Sequence, residues 1–226
     1  IMNKFIFDVD GTLTPSRGTI DHDFAYWFYD FQQENDVYLV TGSDKAKTIE
    51  QIGPSLYNAC KRVYNCNGND VWEGDENVKT NNWTLPNDAE EYLEYWLNDS
   101  PFPLRMGLHL EKRPGMCNFS IVGRNANKQE RHMYVLWDEA SNERAKIAAK
   151  FNEKFLELQA TVGGETGIDI APRGADKSQI AKDFDKDDFI VFFGDKMNEG
   201  GNDEPVAKIL SNDYQGANHP ITDWRE

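Results

Sequence analysis

Three short apolar runs stand out along the chain: Phe5-Ile6-Phe7, Val37-Tyr38-Leu39-Val40 and Phe189-Ile190-Val191-Phe192-Phe193. None alternates with polar residues as a strand with one wet face does. Each is therefore predicted to be a strand covered on both faces, the mark of a parallel sheet between helices. Between the first two, Asp21 to Asn35 carries Phe, Tyr and Trp at helical spacing and is long enough for a right-handed crossover, with Asp21 as its N-cap. In the middle of the chain, Trp83 to Leu97 and Asp138 to Leu158 are predicted as helices, and Leu108 to Val122 and Gln159 to Ala171 as strands with glycine turns. Parallel-type runs recur only toward the two ends. The simplest organisation is thus α/β: a Rossmann-like parallel-sheet core over residues 1–79 and 173–226, with an α+β cap over 80–172 inserted into it. Asn67-Gly68 is a hairpin-type turn signal near the end of the first core segment.

The 226 residues suffice for one large domain or two modest ones. Charge narrows the partners, because 24 Lys plus Arg against 39 Asp plus Glu gives a net −15. That balance repels phosphate backbones and anionic lipid, so neither nucleic acid nor a membrane surface is expected as a partner. An anionic ligand must instead meet a local basic cluster. Cys60, Cys66 and Cys117 are odd in number and form no CxxC pair, which points away from a disulfide framework or a structural zinc and toward a reducing, cytoplasmic compartment. No apolar run approaches the length of a membrane span, and no signal-peptide pattern precedes the first strand.

The candidate chemistry begins at Phe7-Asp8-Val9-Asp10-Gly11-Thr12-Leu13-Thr14. Two acids two apart at the carboxyl end of a buried strand sit where open α/β sheets bind ligands, and such carboxylates suit a hard cation such as Mg²⁺. Asp8 can then attack phosphorus, and Asp10 can protonate the leaving oxygen and later activate the acceptor. The second strand ends at Thr41-Gly42-Ser43-Asp44, where hydroxyls and backbone N–H groups at a helix start suit phosphoryl oxygens, although Ser43 or Asp44 can equally cap the helix Lys45 to Ile52. Lys177 opens a further helix, where its ammonium can neutralise the attacked phosphoryl group, and Gly194-Asp195 returns a carboxylate to the same edge as the third metal ligand. The expected metal ligands are Asp8, the Asp10 carbonyl and Asp195, with Asp203 the next candidate.

In the order Asp-x-Asp, Thr/Ser, Lys, Gly-Asp…Asn-Asp, these four sites resemble the haloacid dehalogenase superfamily of aspartate-nucleophile phosphotransferases. Within it, Arg113-Pro-Gly-Met-Cys-Asn118-Phe-Ser120-Ile-Val-Gly-Arg124, Gln129-Glu130-Arg131, Gly163-Gly164 with Asp169, and Phe192-Phe193-Gly194-Asp195-Lys196 to Gly201-Asn202-Asp203 resemble the α-phosphomannomutase family. The likeness spans nearly the whole chain and is weakest from Val71 to Gly107 and after Asp203. It implies interconversion of hexose (mannose) 6-phosphate and 1-phosphate through an aspartyl-phosphate and a hexose 1,6-bisphosphate activator, with Mg²⁺. It also implies that Arg17, Arg113, Arg124 and Arg131 hold the phosphate not being transferred, with Asn118 and Ser120 nearby and Asp169 on the sugar hydroxyls. A homodimer through the cap is a further implication. Arg105 matches no ligand of the family.

Three positions depart from the family. Thr41 stands where the family usually has Gly and leans toward hydrolysis. Gly167 stands in place of a sugar-contacting Ser, which bears on the choice of hexose. Ile209 stands in place of an acid at an additional cation site, which implies one essential metal. The alternative function is a Mg²⁺-dependent sugar-phosphate phosphatase, passing the phosphoryl group to water. A phospho-accepting receiver also places Asp, Thr/Ser and Lys on a parallel sheet, but it has no use for Asp10 or for a large inserted cap.

Overall fold

The computed structural model describes residues 3–226. In chain order its elements are β1 (Asn3–Phe7), α1 (His22–Glu34), β2 (Asp36–Val40), α2 (Lys45–Ile52), α3 (Pro54–Ala59), β3 (Arg62–Asn65), β4 (Asp70–Glu73), β5 (Glu76–Thr80) and α4 (Asn87–Asp99). There follow β6 (Leu110–Arg113), β7 (Met116–Phe119), α5 (Lys128–Ser141), α6 (Glu143–Lys154), β8 (Leu158–Gly163), β9 (Gly167–Pro172), β10 (Phe189–Gly194), α7 (Glu204–Asp213) and β11 (Gln215–Pro220). Short 3-10 turns cover Cys66–Gly68 and Lys177–Asp183. The chain divides into two compact units, one running to Asn81 and resuming over Ala175–Glu226, the other Asn82–Gly174, with junctions just beyond those read from the sequence.

The first unit is built on a seven-stranded sheet ordered β11-β10-β1-β2-β3-β4-β5, in which β11 through β3 run parallel, β4 pairs antiparallel with β3, and β5 pairs antiparallel with β4. Successive side chains of β1 part to opposite faces, as period two requires. Phe7 packs with Phe28 of α1, Ile52, Leu56 and Tyr57, whereas Ile6 packs with Ile180, Phe184, Val206 and Leu210. Both faces being covered explains why β1, β2 and β10 read as unbroken apolar runs. α1 starts where expected, since the Asp21 side chain accepts from Phe24 N at 3.0 Å. The chain leaves β1 for β2 on one side and returns to β10 on the other, so the sheet changes direction at the carboxyl ends of β1 and β10, the position at which such sheets bind ligands.

The second unit is a four-stranded antiparallel sheet ordered β6-β7-β9-β8 with α4, α5 and α6 over one face. Cys117, Phe119, Ile168, Ile170 and Ala160 face the helices, and the intervening residues Glu111, Arg113, Asn118 and Asp169 share the other face. Two helix boundaries differ from the pattern-based expectation. α4 begins at Asn87 rather than at Trp83, because Pro86 holds Leu85 out of the helical region. Asp138 to Leu158 is not one helix: α5 begins ten residues earlier, at Lys128, with a capping box between Asn127 and Glu130, and it ends at Asn142, whose φ of 54° breaks the chain before α6.

Candidate active site

Asp8, Asp195 and Asp203 meet at the carboxyl edge of β1 and β10, each offering a carboxylate oxygen within 4.8 Å of the others. Lys177 Nζ donates to Asp8 Oδ1 at 2.7 Å and to Asp203 Oδ1 at 2.9 Å. Thr12 Oγ1 donates to Asp8 Oδ2 at 3.1 Å, and the Lys196 backbone N–H donates to Asp203 Oδ2 at 3.1 Å. Asp8, Asp203 and Lys177 are buried. Gly11 makes the assembly possible, since it has φ of 78° and a Cβ there would lie 2.4 Å from Asp195 Oδ2.

Three carboxylates against one ammonium leave two negative charges in excess. Burial pushes the Asp8 carboxyl well above the usual carboxylate range, and Asp203 and Asp195 push it further while Lys177 opposes them. Asp195 is raised by burial and then by Asp203. Burial works against the Lys177 ammonium, but Asp203 and Asp8 outweigh it and hold the lysine charged. A cluster of hard oxygen donors with uncompensated negative charge fits a small divalent cation. Asp203, the reserve ligand in the sequence reading, is thus as much a member as Asp195.

Asp10 supplies no carboxylate to this cluster. Its Oδ1 instead accepts from the Arg17 backbone N–H at 2.7 Å and from Gln51 Nε2 at 2.6 Å. The Asp10 side chain therefore ties together the connection between β1 and α1, an arrangement absent from the sequence reading. Arg17 has φ of 55° and belongs to the first unit, whereas Arg113, Arg124 and Arg131 belong to the second.

On the second strand's edge, buried Thr41 accepts from Ser43 N–H on its Oγ1 at 3.1 Å, and its backbone carbonyl accepts from Asn67 N–H at 2.9 Å. Asp44 rather than Ser43 caps α2, accepting from Lys47 N–H at 2.8 Å. The Asn67-Gly68 signal lies in the 3-10 turn that carries β3 into antiparallel β4, with Asn67 at φ of 58°.

The second unit holds a polar network on its open sheet face. Glu111 Oε1 accepts from Arg113 Nε at 2.9 Å and its Oε2 accepts from Arg124 Nε at 2.5 Å. Burial alone would raise the Glu111 carboxyl, but the two guanidinium groups outweigh it and draw it down to about 2. Asn118 Oδ1 accepts from Arg124 at 3.4 Å, and Asn118 Nδ2 donates to Asp169 Oδ1 at 2.8 Å. The register explains the alignment: Glu111 lies opposite Asn118, and Asn118 opposite Asp169. Gly167 serves this network, because a Cβ there would come within 2.4 Å of Asn118 Nδ2.

Arg131, in the first turn of α5, has its Nε 3.9 Å from a Glu165 carboxylate oxygen. Ser120 is buried, and its Oγ accepts from Gly123 N–H at 3.2 Å, so it holds the turn that carries Arg124. Arg105 is structural: its guanidinium donates to the carbonyls of Leu97, Ser100, Phe102 and Leu104 around the end of α4. The sequence reading missed Glu111 and Gln51. Glu111 could have been found two positions before Arg113 on a strand; Gln51 left no comparable signal.

Comparison with known proteins gives a concordant picture. The chain matches the eukaryotic phosphomannomutase family over residues 24–216. This chain belongs to that family. It is 33% identical over 209 residues to a phosphomannomutase of Dendrobium officinale, a match covering 89% of this chain and 83% of the relative. It is also 33% identical over 211 residues to a phosphomannomutase of Saccharomyces cerevisiae, again covering 89% and 83%. Among solved structures, the C-terminal domain of C. albicans trehalose-6-phosphate phosphatase superposes with a TM-score of 0.62 at 16% identity, covering 93% of this chain and 74% of that one, and so shares the fold. Family membership makes the chain an enzyme, and a haloacid dehalogenase-like hydrolase from Bacteroides thetaiotaomicron, with a TM-score of 0.57 at 13% identity over 92% of this chain and 85% of that one, shares its α/β fold.

Proposed function

We propose that this family member interconverts hexose 6-phosphate and hexose 1-phosphate, with mannose as the hexose and a hexose 1,6-bisphosphate as intermediate and activator. A carboxylate oxygen of Asp8 forms a bond to phosphorus while the bond from phosphorus to the sugar oxygen breaks, and Asp10 gives that oxygen a proton. In the return step a sugar hydroxyl attacks the aspartyl-phosphate and Asp10 takes the proton back. Asp8, Asp195 and Asp203, with the Asp10 carbonyl, would hold Mg²⁺, which when bound offsets the repulsion between the nucleophile and the phosphoryl oxygens. Thr41, Ser43 and Lys177 bind the phosphoryl group under attack, while Arg17, Arg113, Arg124 and Arg131 bind the other phosphate and Asp169 the sugar hydroxyls.

The observation that carries this reading is the pair Arg113 and Arg124 joined through Glu111 beside Asn118 and Asp169. Guanidinium groups held by their Nε atoms suit planar recognition of a second phosphate, which a mutase must grip and a general phosphatase need not. Thr41 favours a second reading, transfer of the phosphoryl group to water. The two separate on incubation with mannose 1-phosphate, Mg²⁺ and a trace of hexose 1,6-bisphosphate, followed by phosphorus NMR. Sugar 6-phosphate is expected, and free phosphate alone would establish the phosphatase.

A homodimer formed through the Asn82–Gly174 unit belongs to the same proposal, supported by the exposed Met133 and Leu136 on α5. So does a cytoplasmic location, in keeping with three cysteines that are free and buried. Among the described residues no helix is long and apolar enough to cross a membrane.

A further inference from the structure

The segment from Asp10 to Ile20 carries the acid–base residue and Arg17, and one side chain of a neighbouring helix anchors it. Gln51, in the last turn of α2, is 1% exposed. Its Nε2 donates to Asp10 Oδ1 at 2.6 Å and lies 3.4 Å from Thr14 Oγ1, while its backbone carbonyl accepts from Ile20 N–H at 2.8 Å. Its Oε1 is buried with no hydrogen-bond partner among the described residues. A buried amide oxygen left unsatisfied is costly, so packing alone would favour an apolar side chain of the same length here. What the amide supplies in return is its N–H on Asp10. α2 is itself fixed at both ends: Asp44 caps its start, Thr48 Oγ1 donates to Asn65 Oδ1 at 3.0 Å, and Gly53 N–H closes its end on Ile49 O at 2.8 Å. The helix thereby links the Thr41–Asp44 loop rigidly to the Asp10 carboxyl.

We infer that Gln51 is a positioning residue for phosphoryl transfer, fixing the rotamer of Asp10 so that this carboxyl serves the leaving oxygen. The Arg17 N–H and the Gln51 amide both fall on Oδ1, and two donors on one oxygen define the rotation of the group where either alone leaves it loose. The inference rests on the acid–base role proposed for Asp10.

A misplaced acid slows departure of a basic sugar oxygen and hardly affects an aryl oxide that leaves unaided. Gln51→Met keeps length and apolar packing while removing the donor and the orphan acceptor. It should lower kcat on a hexose phosphate about tenfold, as loss of a charge-assisted hydrogen bond would. KM should hold, and on an aryl phosphate with a good leaving group the burst of aryl oxide that accompanies phosphorylation of Asp8, read before the slower return step, should keep its rate within about twofold. Asp10→Asn should show the same contrast more strongly, and adding Gln51→Met to it should bring no further loss. Thermal unfolding of each variant checks that the fold is kept. Equal losses on both substrates, no loss on either, or full additivity in the double variant would each overturn the inference. Should Asp10→Asn itself show no leaving-group contrast, the acid–base reading of Asp10 fails and the positioning role falls with it.

Discussion

Lys177 Nζ stands 2.7 Å from Asp8 Oδ1, and the two residues lie 169 positions apart in the chain. The contact closes the first unit around its site, because one partner follows β1 and the other opens the segment that leads into β10. A buried ammonium between two carboxylates is costly to break from either side. Lys177→Met should therefore destabilise the protein by about 3–5 kcal/mol at neutral pH, the usual cost of leaving a buried charge without its partner. In an Asp8→Asn background the same change should cost at least about 1 kcal/mol less, since one of the stranded charges is gone. Urea denaturation of the four proteins of this cycle measures both. Asp8→Asn alone should abolish phosphoryl transfer.

The cation requirement gives a second test. Asp195→Ala and Asp203→Ala each remove one carboxylate from the three-acid cluster and should each raise the Mg²⁺ concentration for half-maximal activity at least about tenfold. Calorimetric titration of Mg²⁺ into each variant checks this apart from turnover. Asp203→Ala should also cost stability, because it strips Lys177 of one partner, whereas Asp195 makes no ion pair with that lysine. An unchanged titration for either variant would remove that residue from the cation site.

How far these features could be read beforehand depends on the separation of the residues involved. Asp8 and Asp195 are legible because each directly follows an apolar strand, with Asp10 two residues beyond Asp8, where both the fold and the ligand-binding edge are announced together. The bond from Gln51 to Asp10 spans 41 positions and joins a helix's last turn to a loop, so no local period marks it. Strands β3, β4, β5 and β11 are not predicted by the apolar pattern: β3 and β4 are only four residues long, and β5 and β11 lie at sheet edges with mostly exposed side chains. The break at Asn142 depends on one residue entering the left-handed region, which helical spacing on either side conceals.

Glu111 supplies a pH-dependent test. Its carboxyl stands at about 2 in the folded protein, below the about 4.3 of an unfolded chain, so it adds stability that is complete above the unfolded value and is lost as pH falls through the folded one. Glu111→Gln should cost about 1–2 kcal/mol at pH 6 after allowance for solvent screening of a partly exposed group. The difference from the parent protein should begin to shrink near pH 4.5 and close toward pH 2. Guanidinium denaturation at a series of pH values reads this directly, and a pH-independent difference would mean that the Gln amide disturbs packing rather than charge.

The decisive variants are Arg124→Ala and Arg131→Ala. Arg124 is held on Glu111 through its Nε, and Arg131 stands at the start of α5 with its Nε 3.9 Å from the Glu165 carboxylate and its Nη1 donating to the Ala126 carbonyl at 3.5 Å. If both grip the phosphate not being transferred, each replacement removes a charge-assisted contact worth about 1.5–3 kcal/mol, or about ten- to more than a hundredfold in an equilibrium constant. The loss should fall on kcat/KM for hexose phosphates. An aryl phosphate carries no second anionic group, so its cleavage, which draws on Asp8, Asp10 and Lys177, should survive within about twofold. Lysine at either position should recover only part of the loss, because an ammonium keeps the charge but not the planar fork. Glu165→Gln should act the other way for Arg131, lowering KM by a fewfold as a competing carboxylate disappears, the modest size expected of a partly exposed ion pair. Equal losses on aryl and hexose phosphates would make the arginines structural supports of their unit, and no loss on either would leave phosphoryl transfer to water as the better account of the chain.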